Sequence, residues 1–381
     1  VITLRVHPHR RHAARLLAVT VLWAVPATAQ RTPQRASTPP TTQQGGALLR
    51  IVPPRRLPTD SEWRTVWQAL SDSLDDRFVE VRQLIMAGPV AVALDMGTRE
   101  VNGIDPATGA ERFVLTARGL GPGEFSRPRH LVTTPDGFAV WDAAASRLTA
   151  FAPNGAPLWN TTLTLGTSFS GMCVTTNRLI HVVTNRHDSS VVTFNSAGRQ
   201  VATRSIRWAT LPPKLPGYAY TGTVSGNSAG THCAFAPRFG GEWAVIPASG
   251  PIRTAPLVIP GPPPVVQSRE VSREKSLRGP TVIITREEST TPPASAHLAW
   301  RGDTVFILAA QPAHSPQKIL DAYDSRTGAY LHSRLLPTVA LNIALSPSGL
   351  MLVATMGDEV SGLYALSTFP SPSSARRPSR K

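Results

Sequence analysis

The chain has 381 residues, of which 36 are proline, 28 glycine and only 6% aromatic, and its formal net charge is +15. This composition argues against a helical protein and for a turn-rich β protein long enough to bury a large core in one or two domains. Thirteen of the fifteen excess positive charges lie in residues 1–58 and 371–381, which hold no acid, so residues 59–370 carry only +2. A nucleic-acid-binding domain would carry its basic footprint on the folded body, so that class of partner is not expected.

The elements follow in chain order. Arg5, Arg10, Arg11 and Arg15 form a positive n-region, residues 16–25 an apolar stretch too short to span a bilayer, and Ala27-Thr28-Ala29 a small-residue cleavage site. Residues 1–29 therefore read as a signal peptide, which predicts export to a periplasmic or extracellular space and no transmembrane span once it is cleaved. Residues 30–46 are rich in Pro, Thr and Gln and read as a disordered linker. Residues 47–80 form an N-terminal segment. Its run 47–52 is a candidate closing strand, and Thr59-Asp60-Ser61 would cap a short helix carrying Trp63, Val66, Trp67 and Leu70 on one face. Residues 371–381 read as a basic disordered tail.

Residues 81–370 contain a degenerate repeat. Residues 128–163 predict four short strands, two of whose three connections are the hairpin turns Asp136-Gly137 and Asn154-Gly155. Such a meander reads as one blade of a β-propeller. The first strands align as Gln83-Leu84-Ile85, His130-Leu131-Val132, Met172-Cys173-Val174, His232-Cys233-Ala234, His297-Leu298-Ala299 and Asn342-Ile343-Ala344. Their starts lie 47, 42, 60, 65 and 45 residues apart, spacings of one four-stranded blade with insertions in the two longer steps. Ile104, Phe151, Phe194, Tyr323 and Tyr364 mark matching third strands, and the third strand of the fourth unit has no clear signature. The prediction is an all-β, six-bladed β-propeller of four-stranded antiparallel blades, with early chain closing the last blade so that no sheet edge is left exposed.

Residues 119–163, from Gly119-Leu120-Gly121-Pro122-Gly123-Glu124-Phe125 through Asp142 and Phe151 to Asn154-Gly155, resemble an NHL-type repeat of bacterial six-bladed propeller proteins. The resemblance implies the same fold and little about activity, because that fold serves both enzymes and binding scaffolds.

First strands line the channel of a propeller, which makes Gln83, His130, Met172, His232, His297 and Asn342 the channel-lining candidates. His130, His232 and His297, from three blades, would form a three-imidazole metal site able to take zinc or calcium. The set is similar to that of the peptidyl-hydroxyglycine amidating lyases among NHL-like propellers, where a histidine in a Pro-His segment binds the metal. Pro128-Arg129-His130 departs from that segment by the inserted Arg129, and the loops at His232 and His297 lack it. The preferred reading is therefore a binding or scaffold protein, monomeric and without a resident cofactor, holding a peptide, glycan or protein at one mouth of the ring. The alternative is a metal-dependent lyase or hydrolase at the channel. Gly226-Asn227-Ser228-Ala229-Gly230 matches a nucleophile-elbow pattern but precedes a strand where the elbow needs a helix. Cys173 and Cys233 fall at the same repeat position of adjacent blades, which predicts two separate buried thiols.

Overall fold

The computed structural model describes residues 2–7, 58–59, 63–70 and 78–368, the last span apart from short segments at 117–118, 120, 122, 166–167, 186–189, 212–214, 216, 275–280, 292, 311–317 and 357–360. The body of the signal peptide, the linker at 30–46, the candidate strand at 47–52 and the basic tail all lie outside the described residues.

Six antiparallel sheets account for nearly all of the described chain. Their inner strands are Val81–Ala87, Pro128–Thr134, Phe169–Thr175, Gly222–Gly226, Ser295–Arg301 and Asn342–Leu345. Each inner strand touches the next, and the last touches the first, which closes the ring. The chain is a six-bladed β-propeller. Every space between neighbouring blades has its own apolar cluster. Val92, Leu94, Phe138 and Val140 fill the first, and Ala344, Leu352 and Leu363 meet Leu84 and Ala93 across the closure. Both faces of each sheet are thus covered, which is why the second and third strands read as unbroken apolar runs such as Val305, Phe306, Ile307 and Leu308.

The predicted turns form as their residues dictate. Gly137 has φ +148°, and a Cβ there would sit 2.3 Å from the Phe151 carbonyl oxygen, so glycine is required. The Asn154 side chain accepts a hydrogen bond from the Ala156 N–H at 3.1 Å and tightens the second turn. In the glycine-rich loop, the Glu124 carboxylate accepts from the Gly121 N–H at 2.9 Å while Phe125 is buried beneath it.

Aspartates that end second strands hold the chain where it enters a blade. Asp95 accepts from the N–H groups of Val79 (2.6 Å) and Glu80 (3.0 Å), and Asp142 from those of Ser126 (2.8 Å) and Arg127 (3.0 Å). Each also accepts from the turn that follows its own strand, at Gly97 and Ala144 respectively.

Three expectations need correction. Trp63–Leu70 is a strand, not a helix, and it pairs with Ser361–Thr368 as the outermost strand of blade six. Early chain does close the ring, but from this segment. Pro58–Thr59 adds a short parallel fifth strand outside blade five. In blade four the inner strand is Gly222–Gly226, inside the stretch expected to be an insertion, and His232–Pro237 is the second strand. The apolar-run criterion selected the wrong one because the inner strand Gly-Thr-Val-Ser-Gly borders the channel, whereas His232–Pro237 is covered on both faces.

The cysteine expectation falls with that alignment. Cys173 lies on the inner strand of blade three and Cys233 on the second strand of blade four, so the two are not equivalent. Gly226 pairs opposite Cys233, and a Cβ at Gly226 would lie 3.6 Å from that of Cys173. The missing side chain leaves room for a Cys173–Cys233 disulfide with Cα atoms 6.3 Å apart, within the range such a bond requires.

A second unit, described by itself, holds a three-stranded sheet in which Thr281–Ser289 pairs with both Val266–Glu274 and Ile2–His7. Among the described residues no helix is long and apolar enough to cross a membrane.

Candidate functional site

A cavity of about 350 Å³ opens at the end of the ring where the inner strands begin. Four inner strands carry a β-bulge at their second residue, namely Arg82, Arg129, Ser170 and Ala296. A bulge leaves one residue outside the ladder and re-aims its side chain, and here all four bulged residues line the cavity. The residue after each bulge is Gln83, His130, Gly171 and His297.

This shared irregularity sets the true phase of the repeat. Gln83, His130, His297 and Asn342 are equivalent and all reach the cavity. Met172 also lines it but stands one place later, since Gly171 holds the equivalent position in blade three. His232 does not line the cavity. It begins the second strand of blade four, bonds to the Thr231 hydroxyl at 2.9 Å, and has a lowered pKa caused by burial and by Arg253. The structure therefore brings His130 and His297 to one mouth and leaves His232 elsewhere. Among the described residues no group of three His, Cys, Asp or Glu side chains has metal-binding geometry.

The equivalent positions stitch neighbouring blades. The side-chain amide oxygen of Gln83 accepts from the Leu131 N–H, and Nδ1 of His297 accepts from the Ile343 N–H at 3.4 Å. The Asn342 amide donates to the Val81 carbonyl at 3.4 Å across the closure, and the Thr223 hydroxyl to the Ala296 carbonyl at 3.3 Å. Because Nδ1 of His297 is an acceptor, its single proton sits on Nε2, and burial pushes the pKa down to about 4. His130 is also pushed down to about 4, by burial first and then by Arg82 and Arg129. Its ring lies 5.0 Å from that of Phe169, and its buried Nδ1 has no partner among the described residues.

Away from the mouth, His181 is fully buried in blade three between the hydroxyls of Thr175 (3.0 Å) and Thr193 (2.9 Å). Burial, with a smaller contribution from Arg204, pushes it down to about 4. Between pH 6.5 and about 4 the unfolded chain binds protons that the folded His181 and His297 refuse, so stability is full above pH 6.5 and drains away as pH falls. Chemical denaturation at pH 7.5 and 4.5 should show each imidazole removing roughly 2–3 kcal/mol from the unfolding free energy. An unfolding midpoint independent of pH over that interval would contradict the neutral, buried assignment.

Sequence reasoning missed Arg82, Ser170 and Arg238 and took Arg129 only as an inserted residue. A signal was present, since an arginine immediately precedes the aligned position in both Arg82-Gln83 and Arg129-His130. Gly226–Gly230 is an ordinary hairpin connection, in which the Asn227 side chain accepts from the N–H groups of Thr231 (2.9 Å) and His232 (3.2 Å).

No protein-family model matches the chain, and no curated protein matches it. Among solved structures, the β-propeller domain of Myceliophteria thermophila Cps50 (Swd1) is 10% identical over 81% of this chain and 100% of its own, with a TM-score of 0.45. A streptogramin B lyase is 11% identical over 80% of this chain and 98% of its own, with a TM-score of 0.46. A member of the duf4221 family from Bacteroides vulgatus is 9% identical over 82% and 99%, also at 0.46. These likenesses carry no argument about activity, and the fold rests on the strand pairing itself.

Proposed function

We propose that this protein is an exported, NHL-type propeller that acts as a binding or scaffold module and holds its ligand at the mouth where the inner strands begin. The observation that carries this reading is the cavity into which four bulged residues from four blades are turned. Bulges at a ring mouth commonly re-aim side chains toward a site. The opposite mouth has a larger cavity, about 520 Å³, but its lining has Arg301 as its one charged residue among apolar residues such as Leu84, Leu298 and Ile343. A convergent set of polar groups marks a specific site better than volume does. The buried Cys173–Cys233 disulfide supports the exported part of the reading, because such bonds persist in oxidising compartments. The metal-dependent alternative gains nothing from the geometry, since Nδ1 of His297 is occupied by a backbone N–H and His232 lies elsewhere.

The test is a screen of peptide and glycan libraries against the full chain, followed by hydrogen-exchange mapping of a bound probe. Protection is expected at residues 80–83, 129–131 and 221–224. Protection confined to residues 298–302 at the other mouth, or to the outer strands, would overturn the reading.

A further inference from the structure

The residues that line the mouth cavity include three exposed arginines, Arg82, Arg129 and Arg238, and one acid, Glu80. The arginines come from blades one, two and four, so the ring converges positive charge from separate sheets. Their positions are built. Arg82 and Arg129 are the bulged residues at the start of blades one and two, just past the backbone N–H groups that Asp95 and Asp142 hold. Arg238 is fixed by its backbone, whose N–H donates to the Thr221 carbonyl at 2.7 Å and whose carbonyl accepts from the Ala294 N–H at 2.7 Å. Among the described residues none of the three guanidiniums has an ion-pair or hydrogen-bond partner, whereas other arginines such as Arg112 and Arg326 are paired with aspartates.

Unpaired arginines on a fixed backbone around a concave site match planar acidic groups, because the guanidinium fork can donate two hydrogen bonds to one carboxylate or phosphate. His130 beside them contributes no charge of its own near neutral pH.

We propose that the mouth captures an anionic head group, a phosphate or a cluster of carboxylates, clamped by Arg82, Arg129 and Arg238. This rests on the reading that the inner-strand mouth is the binding face, and it adds the chemical class of the ligand. The cavity admits a small acid or the acidic end of a longer molecule, with Leu131, Met172 and Val224 as the apolar wall beneath it.

Titration of the full chain with inorganic phosphate and, separately, with citrate, followed by calorimetry and by imidazole NMR, decides the matter. At least one anion should bind saturably, with affinity falling as salt is added, and the arm that binds tells phosphate from carboxylate. Binding should raise the His130 pKa, since a bound anion offsets the arginines that depress it. Arg82→Gln, Arg129→Gln and Arg238→Gln should each weaken binding about tenfold or more. Because their side chains hold nothing else, their unfolding midpoints should match the parent. Arg301→Gln at the opposite mouth should leave affinity unchanged. No saturable binding of either anion, or equal loss on Arg301→Gln, overturns the proposal. If a neutral probe still protects residues 80–83 and 129–131 from exchange, the binding-face reading stands and only the anion assignment falls.

Discussion

Replacing Trp67 by alanine is expected to lower the unfolding free energy by about 3–4 kcal/mol, as for large aromatic truncations in packed sites. Trp67 lies on Trp63–Leu70, the strand that completes blade six. Its indole N–H donates to the Pro106 carbonyl of blade one at 2.9 Å, and its ring sits so close to Gly109 that a Cβ there would meet it at 2.8 Å. Four residues earlier on the same strand, Trp63 donates to the Leu335 carbonyl of blade five at 2.6 Å. One strand thus pairs with its own blade and is tied by two tryptophans to both neighbours. Ring closure concentrates there, because without this strand Ser361–Thr368 becomes an unpaired edge and the apolar clusters on both sides lose a wall. A chain starting at residue 72 should therefore unfold at lower urea with a broadened transition and should aggregate through the open edge. A Trp67→Ala midpoint equal to the parent, or a truncated chain that unfolds as sharply, would show that closure lies elsewhere.

The same strand shows how the sequence can mislead. A helix would put Trp63 and Trp67 on one face, whereas the bulge at Val66 sends Trp63 toward blade five and Trp67 toward blade one, on opposite faces of the sheet. Burial at Val66 and Ala69 also separates the two periods. A helix stripe would bury Val66, which is 42% exposed, whereas alternation buries Ala69, which is 7% exposed. A small alanine is a weak signal, so the valine dominated the pattern. Blade two, by contrast, was legible in full, because Gly137 and Gly155 stand at backbone conformations that few other residues tolerate and so mark the turns in any register. Third strands were legible for a related reason. Ile104, Phe151, Phe194 and Tyr323 are all buried inward-facing residues of covered strands.

Inner strands were the hard case. They border the channel, so their composition relaxes toward Gly, Ser and Thr in Gly222–Gly226, and in blade three a glycine holds the aligned position, so the apolar Met172 took the place of Gly171 in the sequence alignment. Bulges leave no fixed residue signature. The arginines they project could be recognised as a set only once the pairing register was known.

Replacing both Cys173 and Cys233 by alanine is expected to lower stability by about 4 kcal/mol, the loop-closure entropy that a cross-link spanning some 60 residues removes from the unfolded chain. The loop it closes runs from the inner strand of blade three to the second strand of blade four, and so takes in the inner strand Gly222–Gly226. That inner strand is the least apolar of the ring, and blade four has only the short Arg253–Pro256 as its outermost strand. The bond thus reinforces the blade with the weakest intrinsic pairing, where Val183, Val191, Phe235 and Ile246 pack around both sulfurs. Both cysteines are fully buried, so reductant should not reach the bond until the blade opens. The parent protein in dithiothreitol should then keep its native fluorescence while its urea midpoint falls to that of the double variant. A midpoint unmoved by the double substitution would mean that blade four holds itself against blade three by packing alone. Reduction at native-state rates with no unfolding would mean that the sulfurs are reached without opening the interface.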